Sequence, residues 1–138
     1  MAAAIEISLT NDLGELVRVH NAAQDLLRAH SIVATAAYLV DLSLEEILTN
    51  TIRHGYTDTE GHEIVVCVSV ADGIIELHFI DDGREFDPTT APPVDLTEPL
   101  EQRRVGGLGL HLVRELTEGM RYERRGGENH LWVRIAGR

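Results

Sequence analysis

The 138-residue chain is 43% apolar and 25% charged, a balance that fits one domain (1–138) with a single buried core and not a disordered segment. No apolar run approaches the roughly 18 residues of a membrane span, and the opening MAAAIEISLT lacks the basic and apolar regions of a signal peptide. The lone Cys67 has no intrachain disulfide partner, and together these features point to the cytoplasm.

All 12 basic residues are arginine. Mechanisms that need a Walker A lysine, a kinase strand lysine, a Schiff base or a Ser–Lys dyad are excluded. A net charge of −11 disfavours direct contact with nucleic acid or an anionic membrane. The charge is uneven: residues 41–101 carry 15 acids and two Arg, whereas residues 102–138 carry eight Arg and four acids.

In chain order, Ile5, Ile7 and Leu9 alternate with polar residues and predict a strand. Asn11 or Asp12 can cap a helix in which Leu13, Leu16, Val17, Ala23, Leu26 and Leu27 recur up to about His30. A second helix is predicted over about Ala34 to His54, with Tyr38, Leu42, Leu44, Ile47, Leu48, Thr51 and Ile52 as its apolar surface and Gly55 as its end. Ile64, Val66, Val68 and Val70, then Ile75, Leu77 and Phe79, predict two strands of a hairpin turning at Ala71-Asp-Gly73. From Asp81 to Val105 there is no period, and all four prolines fall there. A loop this long suits a lid, roughly 87–105. A helix from Gly106 to about Thr117 and a second hairpin turning at Gly126-Gly127 complete the order β-α-α-β-β-loop-α-β-β. The expected class is α+β, a two-layer sandwich of a mostly antiparallel sheet with helices on one face.

Three groups of residues can carry chemistry. Glu46, Asn50 and His54 stand at i, i+4 and i+8, a polar stripe on the second helix. The Asn50 amide oxygen suits one position around Mg²⁺, and Glu46 one turn earlier suits a general base. A solvated stripe is the alternative. Asp81 follows an apolar strand and precedes Asp82-Gly83. Ionised, it only accepts hydrogen bonds, and so can take the exocyclic amine of adenine. An ordinary acidic turn is the alternative. Gly106, Gly107 and Gly109 open a helix whose N–H groups can face phosphate, although hinge glycines look the same. The remaining histidines show no paired metal-ligand spacing, and Trp132 reads as an edge or partner contact.

Glu-x-x-x-Asn on a helix, Asp-x-Gly after a strand, a long loop and Gly-x-Gly entering a helix resemble, in that order, the Bergerat ATP-binding fold of the GHKL superfamily. Three segments make the chain most similar to the RsbW-type anti-sigma-factor serine kinases: His54-Gly55-Tyr56, Asp81-Asp-Gly83 through Phe86-Asp87-Pro88, and Gly107-Leu108-Gly109-Leu110. The resemblance spans about residues 5–136. It implies an ATP- and Mg²⁺-dependent serine kinase that binds a sigma factor and phosphorylates a STAS-type anti-anti-sigma protein, commonly as a homodimer.

By position it implies that Glu46 is the catalytic base, Asn50 the Mg²⁺ ligand and Asp81 the adenine reader, with Gly83 admitting the base. Gly106, Gly107 and Gly109 hold phosphate, and Leu108, Leu110 and Phe86 complete the pocket. Helical facing, apart from the resemblance, lets Arg53 or His54 reach the phosphates, and Arg103 and Arg104 are lid-end candidates for charge stabilisation. Two positions depart from the pattern. Glu85 replaces a second glycine after Asp-x-Gly. Gly127-Glu128-Asn129 stands in a turn where relatives have Gly-x-Thr, whose threonine helps hold adenine. These departures motivate a second hypothesis, a partner-switching nucleotide-binding module with little or no catalysis. A third is the detached catalytic domain of a histidine kinase.

Overall fold

A computed structural model describes residues 2–90 and 107–138. The strands are β1 (Ala2–Thr10), β2 (Glu63–Ala71), β3 (Ile74–Asp81), β4 (Gly119–Arg125) and β5 (Glu128–Ala136), and the helices are α1 (Leu16–Ala29), α2 (Ala34–His54) and α3 (Gly107–Leu116). Short 3-10 turns cover Leu13–Glu15 and Pro88–Thr90. The expected element order and α+β class hold. All four strand pairings are antiparallel, in the order β1-β2-β3-β5-β4. The proposed lid from residue 91 onward, with Arg103, Arg104 and Gly106, lies outside the described residues. No described helix is long and apolar enough to cross a membrane.

Period-two alternation builds the sheet. Ile64, Val66, Val68 and Val70 on β2, Ile75, Leu77 and Phe79 on β3, and Leu131, Val133 and Ile135 on β5 point to one face and are buried. The helices cover that face with Val19, Ala23 and Leu27 of α1, Val40, Leu44, Ile47 and Leu48 of α2, and Leu110 and Val113 of α3. Both hairpins turn as their sequences require, since Asp72 and Gly73, then Gly126 and Gly127, all take positive φ. Two helical expectations are corrected. Val17 and Tyr38 are 67% and 62% exposed, because each lies a fraction of a turn outside the stripe that meets the sheet. Of the two candidate caps, Asp12 accepts from Gly14 N–H at 2.8 Å. Asn11 instead accepts from His62 N–H at 2.9 Å, tying the end of β1 to the start of β2.

Gly55 ends α2 with right-handed φ of −79°, so the left-handed exit usual for glycine is not its reason. Crowding is. A Cβ there would stand 2.5 Å from the Thr51 carbonyl oxygen, and one at Gly83 would stand 2.6 Å from the Gly55 carbonyl oxygen. That same carbonyl accepts from Arg84 N–H at 2.8 Å. Two glycines thus let the end of α2 and the loop after β3 pack backbone to backbone. Gly55→Ala should cost about 1–3 kcal/mol, read as a lower urea midpoint. An unchanged midpoint contradicts the crowding.

Candidate functional site

An open cleft lies where the helices meet one end of the sheet. Ile47, Phe79, Leu110 and Leu131 give it apolar walls, while Asn50, His54, Asp81, Arg84 and Asn129 add polar groups. Such a mixture is what a small-molecule site needs. The polar stripe of α2 therefore faces the cleft with Asn50 and His54. Glu46, one turn before Asn50, lies against α3: a Cβ at Gly109 would overlap its carboxylate. Partial burial, and then the neighbouring Glu45 charge, raise the Glu46 pKa above the ordinary carboxylate value. A raised carboxyl suits a general base better than an ordinary one does.

Asp81 is 9% exposed at the end of β3, directly opposite Asn129 of β5. Its Oδ1 accepts from Gly83 N–H and from Asn129 Nδ2, each at 2.9 Å. Burial raises the Asp81 carboxyl above the ordinary carboxylate value, against the opposing pull of these two donors. Asn129 Nδ2 also donates to the Arg84 carbonyl at 2.9 Å. Its Oδ1 accepts from Tyr122 Oη at 2.5 Å and from Arg124 Nη1 at 3.1 Å. Arg124 Nη1 donates as well to the Gly83 carbonyl at 2.7 Å. The β4–β5 hairpin thereby clamps residues 83 and 84 beside the cleft.

Of the expected site residues, Asn50, His54, Asp81, Phe86 and Leu110 line this one cleft. Gly83 is spent on packing against Gly55. Arg53 is exposed and does not line the cleft. Gly107, Leu108 and Gly109 form the first turn of α3. The structure moves Asn129 out of the turn and into β5, where it bonds directly to Asp81. Tyr122, Arg124 and Arg84 were not foreseen. The inward phase of Met120, Tyr122 and Arg124 along β4 was the available signal.

A family model described as the histidine kinase-like ATPase domain matches residues 9–135. The chain belongs to that family. It is 32% identical over 98 residues to the serine/threonine-protein kinase BtrW of Bordetella bronchiseptica, covering 71% of this chain and 69% of that one. It is 31% identical over 84 residues to the serine-protein kinase RsbW of Listeria monocytogenes, covering 58% of this chain and 54% of that one. The chain thus spans little more than half of that kinase. The crystal structure of the RsbU and RsbW domains of a Mycobacterium tuberculosis protein shares the fold, with a TM-score of 0.69 at 17% identity over 96% of this chain and 32% of that one. As a member of the histidine kinase-like ATPase family in its RsbW-type branch, the chain carries a domain for ATP use, and the cleft is its candidate site.

Beside the cleft, His62 holds Asp58 at 2.8 Å and Asp82 at 3.2 Å and stacks on Tyr56 with ring centroids 4.2 Å apart. The Asp58 hydrogen bond, more than Asp82, raises the His62 pKa. His62 in turn lowers that of Asp58. A raised histidine contributes stability in full below its unfolded pKa of about 6.5, and that contribution is lost as pH rises through the folded value. The lowered Asp58 contributes above its unfolded value of about 3.9. The clasp is therefore strongest between these limits and fades on the alkaline side. Urea midpoints of the unaltered chain and His62→Gln should differ most near pH 5.5 and converge by pH 8.5. A gap that stays constant across this range contradicts a charged clasp.

Proposed function

We propose that the chain is an ATP- and Mg²⁺-dependent serine protein kinase of the partner-switching type, acting on a STAS-type anti-anti-sigma protein and binding a sigma factor, as a homodimer. The observation that carries the reading is one cleft into which α2 and β3 bring Asn50 and Asp81, with the Glu46 carboxylate seated on the first turn of α3 beside it.

The residues fit the groups the reaction needs. Asp81, deprotonated, accepts the exocyclic amine of adenine. Asn50 offers a neutral oxygen as one ligand to Mg²⁺, which when bound would offset the charge of the phosphates. The N-terminal turn of α3 is the positive end of a helix dipole, and its glycines keep side chains away from an approaching phosphate. Glu46 takes the proton of the substrate serine as its hydroxyl oxygen attacks the terminal phosphorus of ATP, the bond from that phosphorus to the bridging oxygen breaks, and ADP leaves. Glu85, one ground for a catalytically weak module, is exposed and outside the cleft lining. The other, Asn129, reinforces Asp81. Both therefore leave the kinase reading intact.

Glu46→Gln should lower phosphate transfer to a STAS serine by about 10²–10⁴-fold, with ATP affinity measured by calorimetry nearly unchanged. Undiminished transfer removes Glu46 from the role. Gly109→Ala supplies a second, independent check. Alanine favours a helix over glycine by about 1 kcal/mol, so thermal stability should hold while the displaced Glu46 slows transfer. Asn50→Ala should abolish the Mg²⁺ dependence of ATP binding.

A further inference from the structure

Asn129 stands where the resemblance expects a threonine that touches adenine, and its surroundings give it a different task. Its oxygen meets only donors, the Tyr122 hydroxyl and the Arg124 guanidinium. Its nitrogen meets only acceptors, Asp81 Oδ1 and the Arg84 carbonyl. The reverse amide orientation would face like against like on both sides, so the network fixes the assignment. Two lone pairs and two N–H groups are all that a carboxamide has, and the protein uses all four. At 7% exposure, Asn129 has no hydrogen bond left for a ligand. Its influence on the cleft passes through Asp81.

Both hydrogen bonds that hold the Asp81 carboxylate fall on Oδ1. Among the described residues none falls on Oδ2. We propose that Asn129 is a positioning residue of the base subsite: locked by Tyr122 and Arg124, its carboxamide fixes the Asp81 carboxylate so that Oδ2 is the acceptor offered to the exocyclic amine of the nucleobase. The inference rests on the nucleotide-binding reading and deepens it. The same amide also sets the protonation of the site. A donor to a carboxylate favours its charged form, and burial disfavours it. Around Asp81, Asp82 works against ionisation and Arg124 of β4 works for it. Tyr56 packs nearby, and His54 of α2 and Arg84 face the same cleft. Removing Asn129 takes away the larger of the two hydrogen bonds that favour the charge.

The test is calorimetric titration of the full chain with ATP and with GTP, in Mg²⁺, from pH 5 to pH 8. Asn129→Ala should weaken ATP binding about tenfold or more, the scale of a hydrogen bond to a charged group. It should also narrow the preference for ATP over GTP and move the pH at which binding fails on acidification upward. Asn129→Thr keeps one donor for Asp81 and should restore the pH midpoint and the base preference. Tyr122→Phe leaves Asn129 in place with one fewer donor and should shift both readouts in the direction of the alanine variant, by less. If the alanine variant does not fold, the threonine and Tyr122→Phe variants carry the same readouts. Weaker binding with an unmoved pH midpoint and an unmoved base preference makes Asn129 merely structural and overturns the proposal. If the unaltered chain binds no ATP, the nucleotide reading itself fails, and this inference falls with it.

Discussion

The site depends on keeping one carboxylate charged inside a wall of apolar side chains. Burying a carboxylate without donors costs several kcal/mol, and Asp81 sits among Phe79, Leu131 and Leu110. Gly83 and Asn129 supply the donors. Neither arrives by accident of the loop. Gly83 is two residues on in the chain, close enough to turn its N–H back onto Asp81. Asn129 comes from 48 residues away and depends wholly on strand register. Successive side chains alternate faces, so a slip of one residue would present His130 or Glu128 in its place. Leu131, Val133 and Ile135 prevent the slip, because it would turn the buried side of β5 outward. The hydrophobic core thus sets the position of the polar pair.

The cleft forms where the apolar pattern gives out on several elements at the same level. On β3, Leu77 and Phe79 are followed by Asp81. On β5, reading backward, Val133 and Leu131 are followed by Asn129. On α2, Ile47 and Leu48 are followed by Asn50, Thr51 and His54. Each element contributes core at one end and polar groups at the other, so the same packing that buries the first half aligns the second. This also explains why the chain places glycine at 55, 83 and 109: each lies where a backbone must come within touching distance of another element or of the Glu46 carboxylate.

Local features were legible in the sequence. Alternation gave the strands, Ala71-Asp-Gly73 and Gly126-Gly127 gave the turns, and the bounds of α2 were readable from its apolar spacing. The stripe of Glu46, Asn50 and His54 was readable as a stripe, though not the neighbour it faces. What escaped depended on contacts between distant residues. Tyr38 and Val17 look like core by composition and stand outside it by angle. The sequence places Asn129 in a turn because its two preceding neighbours are Gly127 and Glu128, whereas the strand already begins at Glu128, two residues sooner than such a turn allows. On the face of the sheet away from the helices, His78 hydrogen-bonds His130 at 3.0 Å and stacks on Trp132. That cluster spans 54 residues of sequence and exists only because β3 and β5 pair in this register. In this pair His78 is partly buried and His130 is buried.

In the proposed kinase, one helix carries both halves of the chemistry. Residues eight apart on an α-helix rise about 12 Å, so the stripe from Glu46 to His54 runs beside an extended ligand and not across a compact one. The end near His54 meets the proposed base subsite, because Gly55 is bonded through Arg84 to the loop that Asn129 and Arg124 clamp. The end near Glu46 meets α3, whose first turn is the positive pole of its dipole. A ligand that is neutral and aromatic at one end and strongly anionic at the other matches this polarity, and a ligand with the reverse order does not. In the absence of lysine, the positive pole of α3 and the arginines are what the chain has to meet that anionic end. On the proposed reading, the direction in which a nucleotide lies in the cleft follows from the direction in which α2 runs.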